Sequence, residues 1–174
     1  MIITMNEKTP YTEKASFIAH SADIIGEVIL GDDVSVWFNT TIRGDIASIT
    51  IGDGSNVQDN CLIHVDRNIP TVVGKGVTVG HGVILHACTI EDDVLIGMGA
   101  IVLDESVIGK ESLVAAGSLV PPKKVFPPRS LIMGSPARVV RSLSDEDVEK
   151  IKQNGKNYVT YGHTYGSLEV GKEI

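Results

Sequence analysis

The sequence predicts an all-β fold, a parallel β-helix of hexapeptide repeats followed by one C-terminal α-helix. Three observations predict it. Aliphatic side chains recur every six residues, as in Ile18, Ile24, Leu30, Val36 and Ile42. A small or branched residue stands four places after most of them, such as Ala22, Val28, Val34 and Thr40. Glycine is abundant, at 18 residues, while aromatic residues make up only 5%, which suits a tightly wound core of small and branched side chains. A six-residue self-similarity of this kind gives one short strand and one corner per repeat. The aliphatic points inward and the small residue fits the crowded turn. Three repeats close a coil of about 18 residues, and coils stack at the interstrand spacing of about 4.8 Å. An α-helix would want apolar residues three and four apart, and a sandwich would show plain two-residue alternation.

Residues 1–17 show no clear period and are expected to form an N-terminal lead-in, with Tyr11, Phe17 and Ile18 capping one end. The β-helix is expected over residues 18–120, in four runs. The first ends at Ile42. Ile51, Val57 and Ile63 form the second, and Val73, Val79 and Leu85 the third. The fourth runs through Ile90, Ile96, Val102, Ile108, Val114 and Val120. Pro121-Pro122 and Pro127-Pro128 are expected to end strand pairing, leaving residues 121–143 as an extended connection that turns at Gly134-Ser135-Pro136. Ser144 reads as an N-cap, and Asp145, Glu146 and Asp147 favour the positive end of a helix. That helix is expected over residues 144–165, packed back along the prism, with Gly155 as a weak point. Residues 166–174 are expected to be a frayed tail.

The length of 174 residues suits one domain. A net charge of −7 argues against nucleic acid as a partner, which would call for a basic stripe. No apolar run reaches membrane-spanning length, and no charged start precedes an apolar signal core. A location in the cytoplasm with no membrane partner is therefore the expectation. Cys61 and Cys88 are the only cysteines and read as reduced core thiols.

Three of the five histidines, His64, His81 and His86, lie in a short central stretch. Three imidazoles with one open position make a hydrolytic zinc arrangement. The repeat register places them. The steps from Ile42 to Ile51 and from Ile63 to Val73 are lengthened, so Ile63 is expected above Ile42, 21 residues on, and Leu85 above Ile63, 22 residues on. Arg43, His64 and His86 each follow one of these aliphatics directly and are expected to form one outer column. Two imidazoles a rung apart can share a metal at about 2.0–2.1 Å from each nitrogen. His81 stands two places after Val79, as Asp59 stands two places after Val57. Asp59 is therefore expected beneath His81, where it can accept the second imidazole N–H. His81 and His86 are separated by a corner, too far apart along the chain for one ion. The expected solution is three-fold packing, in which one prism offers His64 and His86 and its neighbour offers His81. This makes the protein a homotrimer with metal sites between subunits. His20 and His163 are expected outside these columns. Trp37 and Phe38 are expected either at a subunit contact or in plain surface packing.

At these residues the chain resembles the gamma-class carbonic anhydrases, within the wider hexapeptide-repeat superfamily. The resemblance runs from about Ile18 to Arg141 and rests on Arg43-Gly44-Asp45, Gln58-Asp59-Asn60, His64, Val79-Gly80-His81 and Leu85-His86. The stretch Gly134-Ser135-Pro136-Ala137 is shared with hexapeptide acyltransferases. The resemblance implies a left-handed β-helix, a homotrimer and a zinc or iron ion at each subunit interface. It implies His64, His81 and His86 as ligands and Gln58 as the residue that orients the attacking water or the substrate. It also implies an intersubunit ion pair between Arg43 and Asp59, supported by Asp45. The implied activity is reversible hydration of carbon dioxide to bicarbonate.

Two departures bear on turnover and leave the ligand set intact. Ile46 stands where one well-known kind of member carries a glutamate. The loop after His64 is short, with Arg67 near the place of a proton-shuttling glutamate. Asp66 is the acidic residue left in that loop, and Tyr158 resembles a tyrosine that shorter members place at the site. The same scaffold serves acyl transfer, thioester hydrolysis on a coenzyme A substrate, and non-catalytic metal binding. Acyl transfer would need one histidine as general base and no ligand triplet.

Overall fold

Most strands have only two or three residues and pair in parallel with the strand one coil away. A computed structural model describes residues 1–168. The chain winds as a left-handed β-helix with three faces. On the first face Ile24, Ile42, Ile63, Leu85, Val102 and Val120 are successive register partners. The second face stacks Leu30, Ile51, Val73, Ile90, Ile108 and Phe126. The third stacks Ile18, Val36, Val57, Val79, Ile96, Val114 and Ile132. Register partners point to the same side of a sheet, so the three columns meet inside the prism as one core. Nearly all of these aliphatics are fully buried, and each stabilises the coil by about 1.5–3 kcal/mol relative to exposure.

The corners explain the rest of the composition. Asp33, Asn39, Gly54, Asn60, Gly76, Gly82, Asp93 and Gly99 all adopt positive φ. Glycine, asparagine and aspartate enter that region at least cost. Hydroxyls on the small residues tie one coil to the next: Thr40 Oγ1 donates to Gln58 O at 2.6 Å, and Ser55 Oγ donates to Gly74 O at 2.8 Å. Gly52 allows the close approach, because a Cβ there would lie 2.7 Å from the Gly74 carbonyl carbon.

The coil reaches further at both ends than the six-residue period suggests. Ile2–Ile3 pairs in parallel with Ile24–Ile25, and Tyr11 bridges Ile29, so residues 1–17 form a partial first coil rather than a lead-in. At the other end the prolines do not stop pairing. Val125–Phe126 pairs with Val107–Ile108, and Ser130–Gly134 pairs with Leu113–Val114. The prolines sit at corners, where no ladder N–H is required. Ala137–Ser142 then returns antiparallel on Ser130–Gly134. Residues 121–143 are thus a last coil and a hairpin, not an extended connection.

Helix α1, Asp145–Gly166, runs down the third face from the last coil toward the first. Ser144 opens it with a capping box: Asp147 N–H donates to Ser144 Oγ, and Ser144 N–H donates to the Asp147 carboxylate. Leu143, Val148 and Ile151 pack on the outward residues Leu95, Leu113 and Leu131. Gly155 is a contact and not a weak point, since a Cβ there would lie 3.2 Å from Gly76 O. Gly162 approaches still closer, where an added Cβ would stand 2.5 Å from Ser16 Oγ. Trp37 is 7% exposed and packs within the chain, against Tyr158 at 5.5 Å and Tyr165 at 4.9 Å between ring centroids. Residues 169–174 of the expected tail lie outside the described residues.

Candidate metal centre

The first face carries the histidine column. His64 and His86 are direct strand partners, and Arg43 follows Ile42 as His64 follows Ile63. His64 Nδ1 lies 3.2 Å from His86 Nε2. The other nitrogen of each ring meets a carboxylate: His64 Nε2 lies 2.9 Å from Asp45 Oδ1, and His86 Nδ1 lies 2.8 Å from Asp104 Oδ1. Arg43 pairs with the second oxygen of Asp45. Burial opposes ionisation of Asp45. Hydrogen bonds from His64, from its own backbone N–H and from Arg43 outweigh that and hold its carboxyl below the ordinary range.

These contacts define what the pair can do. An ionised carboxylate only accepts, so each outer nitrogen is the donor, and in the neutral rings each inner nitrogen presents a lone pair. Two lone pairs at 3.2 Å repel unless a cation lies between them. Two nitrogens bound tetrahedrally at about 2.05 Å stand about 3.3 Å apart, which matches the gap. The donor set therefore fits a zinc-sized divalent ion.

His81 sits on the edge of the third face. Its Nδ1 lies 2.7 Å from Asp59 Oδ2, and its side chain is 43% exposed. It lines a cleft of about 180 Å³ with Gln58, Thr78, Met98, Asn154 and Tyr158. Among the described residues, no three His, Cys, Asp or Glu side chains of one chain group closely enough to hold a metal ion. One chain offers a facing pair on one edge and a single imidazole on another.

Gln58 is 5% exposed and held from behind. Its Nε2 donates to Asn56 Oδ1 at 3.2 Å, Asn56 Nδ2 donates to Thr78 Oγ1 at 3.0 Å, and Thr78 Oγ1 donates to Asn154 Oδ1 at 3.1 Å. Tyr158 leans edge-on against Trp37. Burial and the nearby Asp59 charge push its phenol up, so it remains a donor at neutral pH. Asp66 is exposed and accepts from Arg67 N–H at 2.7 Å, turned into its own loop. Within one chain Arg43 pairs with Asp45 and Asp59 pairs with His81.

Sequence reasoning missed Asp104, Asn56 and Asn154. Asp104 was within reach of the register, two places after Val102, which pairs with Leu85. Asn154 was not, because its partner depends on how α1 docks. His20 corrects an expectation. Ile18 pairs with Val36, so His20 falls in the same column as Phe38, Asp59 and His81. It packs edge-on to Phe38 at 5.8 Å, two coils below Asp59. His163 lies in the last turn of α1 with its Nε2 2.9 Å from Asp33 Oδ1.

This prism, with imidazoles stacked on its outer edge, is that of a hexapeptide-repeat protein, and residues 87–122 match the bacterial transferase hexapeptide (six repeats) family. A carbonic anhydrase of Geobacillus kaustophilus is 48% identical over 97% of this chain and 93% of its own length. The mitochondrial gamma carbonic anhydrase 2 of Arabidopsis thaliana is 40% identical over 95% of this chain, which spans 62% of that longer protein. A solved Bacillus cereus structure, described as a candidate acetyltransferase, superposes with a TM-score of 0.93 at 43% identity, covering 97% of this chain and 98% of that one. The chain belongs to the gamma-class carbonic anhydrase family. No helix among the described residues is long and apolar enough to cross a membrane.

Proposed function

We propose that the protein catalyses reversible hydration of carbon dioxide to bicarbonate, at a metal shared between subunits of a cytoplasmic homotrimer. The observation that carries this reading is the facing pair His64 Nδ1 and His86 Nε2, 3.2 Å apart and each backed by a carboxylate. The carbonic anhydrase names of its relatives in Geobacillus kaustophilus and Arabidopsis thaliana support the same reaction. His64 and His86 of one subunit and His81 of the next would hold zinc or iron. Such an ion supplies Lewis acidity that lowers the pKa of water from 15.7 toward about 7.

The chain's own side chains do the rest. Asp45, Asp104 and Asp59 aim the three imidazoles. Gln58, anchored through Asn56, orients the attacking water or the substrate. Tyr158 donates a hydrogen bond to an oxygen of the forming bicarbonate. Leu95 and Met98 line the cleft with apolar surface that suits uncharged carbon dioxide. Asp66, exposed in the loop after His64, is the acidic group through which the proton leaves.

An apolar stripe supports the trimer. Leu62, Ile84, Ile101 and Leu119 are outward register partners on the first face, beside the histidines. The occupant we assign is a second copy presenting its His81 edge, with Arg43 and Asp59 pairing across the contact. Cys61 and Cys88 are both free and buried, with burial pushing their thiols up to about 11 and about 12.

Metal analysis of protein purified with and without air, followed by stopped-flow hydration of carbon dioxide, tests the reading. The expected result is one ion per chain with hydration activity. Loaded protein inactive toward carbon dioxide but active on acyl-CoA would favour acyl transfer or thioesterase chemistry, the reading to which the Bacillus cereus neighbour points. Loaded protein inactive in both assays would leave a metal-binding scaffold.

A further inference from the structure

We propose that Asp104 is a positioning residue that holds the metal pair open, and the proposal rests on the shared-metal reading above. The column is bracketed. Asp45 reaches His64 from below and Asp104 reaches His86 from the coil above. The two carboxylates force opposite donors: His64 presents Nδ1 and His86 presents Nε2.

The two brackets are not equally dispensable. His64 is 16% exposed in its side chain, with Asp45 further pinned by Arg43. His86 is 32% exposed, and its carboxylate partner is Asp104. The Asp104 backbone is fixed by the last coil, where Lys123 N–H donates to Asp104 O at 2.8 Å. Without that carboxylate His86 gains an alternative. Its proton moves to Nε2, which then donates to His64 Nδ1. The pair satisfies itself with one hydrogen bond and no longer offers two lone pairs to a cation. Asp104 prevents this by making the Nδ1–H tautomer the favoured one.

The test is zinc affinity, by competition with a chromophoric chelator, on wild-type protein, Asp104→Asn, Asp104→Ala and Glu105→Gln. Glu105 is the adjacent corner residue and pairs with Lys123 at 3.4 Å. Sedimentation confirms that each variant keeps its assembly, and ¹⁵N–¹H long-range correlation reads the His86 tautomer. Asp104→Ala is expected to bind zinc about 10–100-fold more weakly and to populate Nε2–H at His86 in the zinc-free protein. Asp104→Asn falls between, since its amide oxygen still accepts from Nδ1–H, and Glu105→Gln matches wild type. If Asp104→Ala does not fold, Asp104→Asn and the wild-type tautomer decide. Wild-type affinity in both Asp104 variants overturns the proposal. So does an equal loss in Glu105→Gln, or Nε2–H at His86 in zinc-free wild type. Wild-type protein that takes up no zinc or iron overturns the shared-metal reading itself, and this proposal with it.

Discussion

The first and third faces of the prism come from the same repeat, yet their outer surfaces are used differently. On the third face the outward residues Leu95, Leu113 and Leu131 lie beneath Leu143, Val148 and Ile151 of the chain's own C-terminal segment. On the first face Leu62, Ile84, Ile101 and Leu119 hold the equivalent outward register, and α1 does not cover them. The interior demands aliphatics at one position per repeat and leaves the outward neighbour free. One face uses that freedom to close the monomer. The other keeps it beside the histidines, where, in the proposed trimer, a second chain would supply the third imidazole.

The sharpest way to break this contrast is to separate the two halves of the site. His81→Ala and His86→Ala are each expected to lose bound metal and hydration activity. Mixing the two variants under conditions of subunit exchange should restore about a quarter of the sites, because a head-to-tail ring pairs one chain's intact edge with the other's. No recovery in metal content on mixing would mean that the imidazoles do not come from different chains. Next in size is a charge on the first face. Ile101→Asp is expected to yield folded monomers without metal, seen by sedimentation and metal analysis, since an unpaired carboxylate resists burial in an interface.

On the third face the same logic predicts a different loss. Ile151→Ala should cost about 2–5 kcal/mol of stability by cavity formation, read from denaturant unfolding, while the assembly stays intact. Dissociation in that variant would show that the faces are coupled. The smallest effect lies at the capping box. Arg141 and the hydrogen bonds from Ser144 hold the Asp147 carboxyl far below its usual value of 3.8. Its folded pKa is depressed, so its contribution is present above about pH 4 and disappears as pH falls through the acid range. Asp147→Asn should flatten that part of the stability profile and leave neutral-pH metal binding unchanged.

Much of this was legible in advance for a local reason. A six-residue period forces each aliphatic to the same side of its strand, so stacking follows from counting. The lengthened steps before Ile51 and Val73 shift the count without breaking it, which is why His64 could be placed beneath His86 and Asp59 beneath His81. Counting failed where a residue did two things at once. Pro121 and Pro127 looked like terminators but stand at corners that need no N–H. Residues 1–17 carry too few aliphatics to show a period, although Ile2–Ile3 pairs with the next coil.

By itself, then, the amino-acid order determined the winding, the three buried columns and the rungs on which the imidazoles stand, because each follows from spacing along one strand ladder. Only the folded chain decided that Asp104 reaches back to His86, that Asn154 braces the Gln58 chain through Thr78, and that Gly155 and Gly162 seat α1 against the prism. Those contacts depend on the direction of individual side chains and on the docking of an element outside the repeat. No period encodes either one.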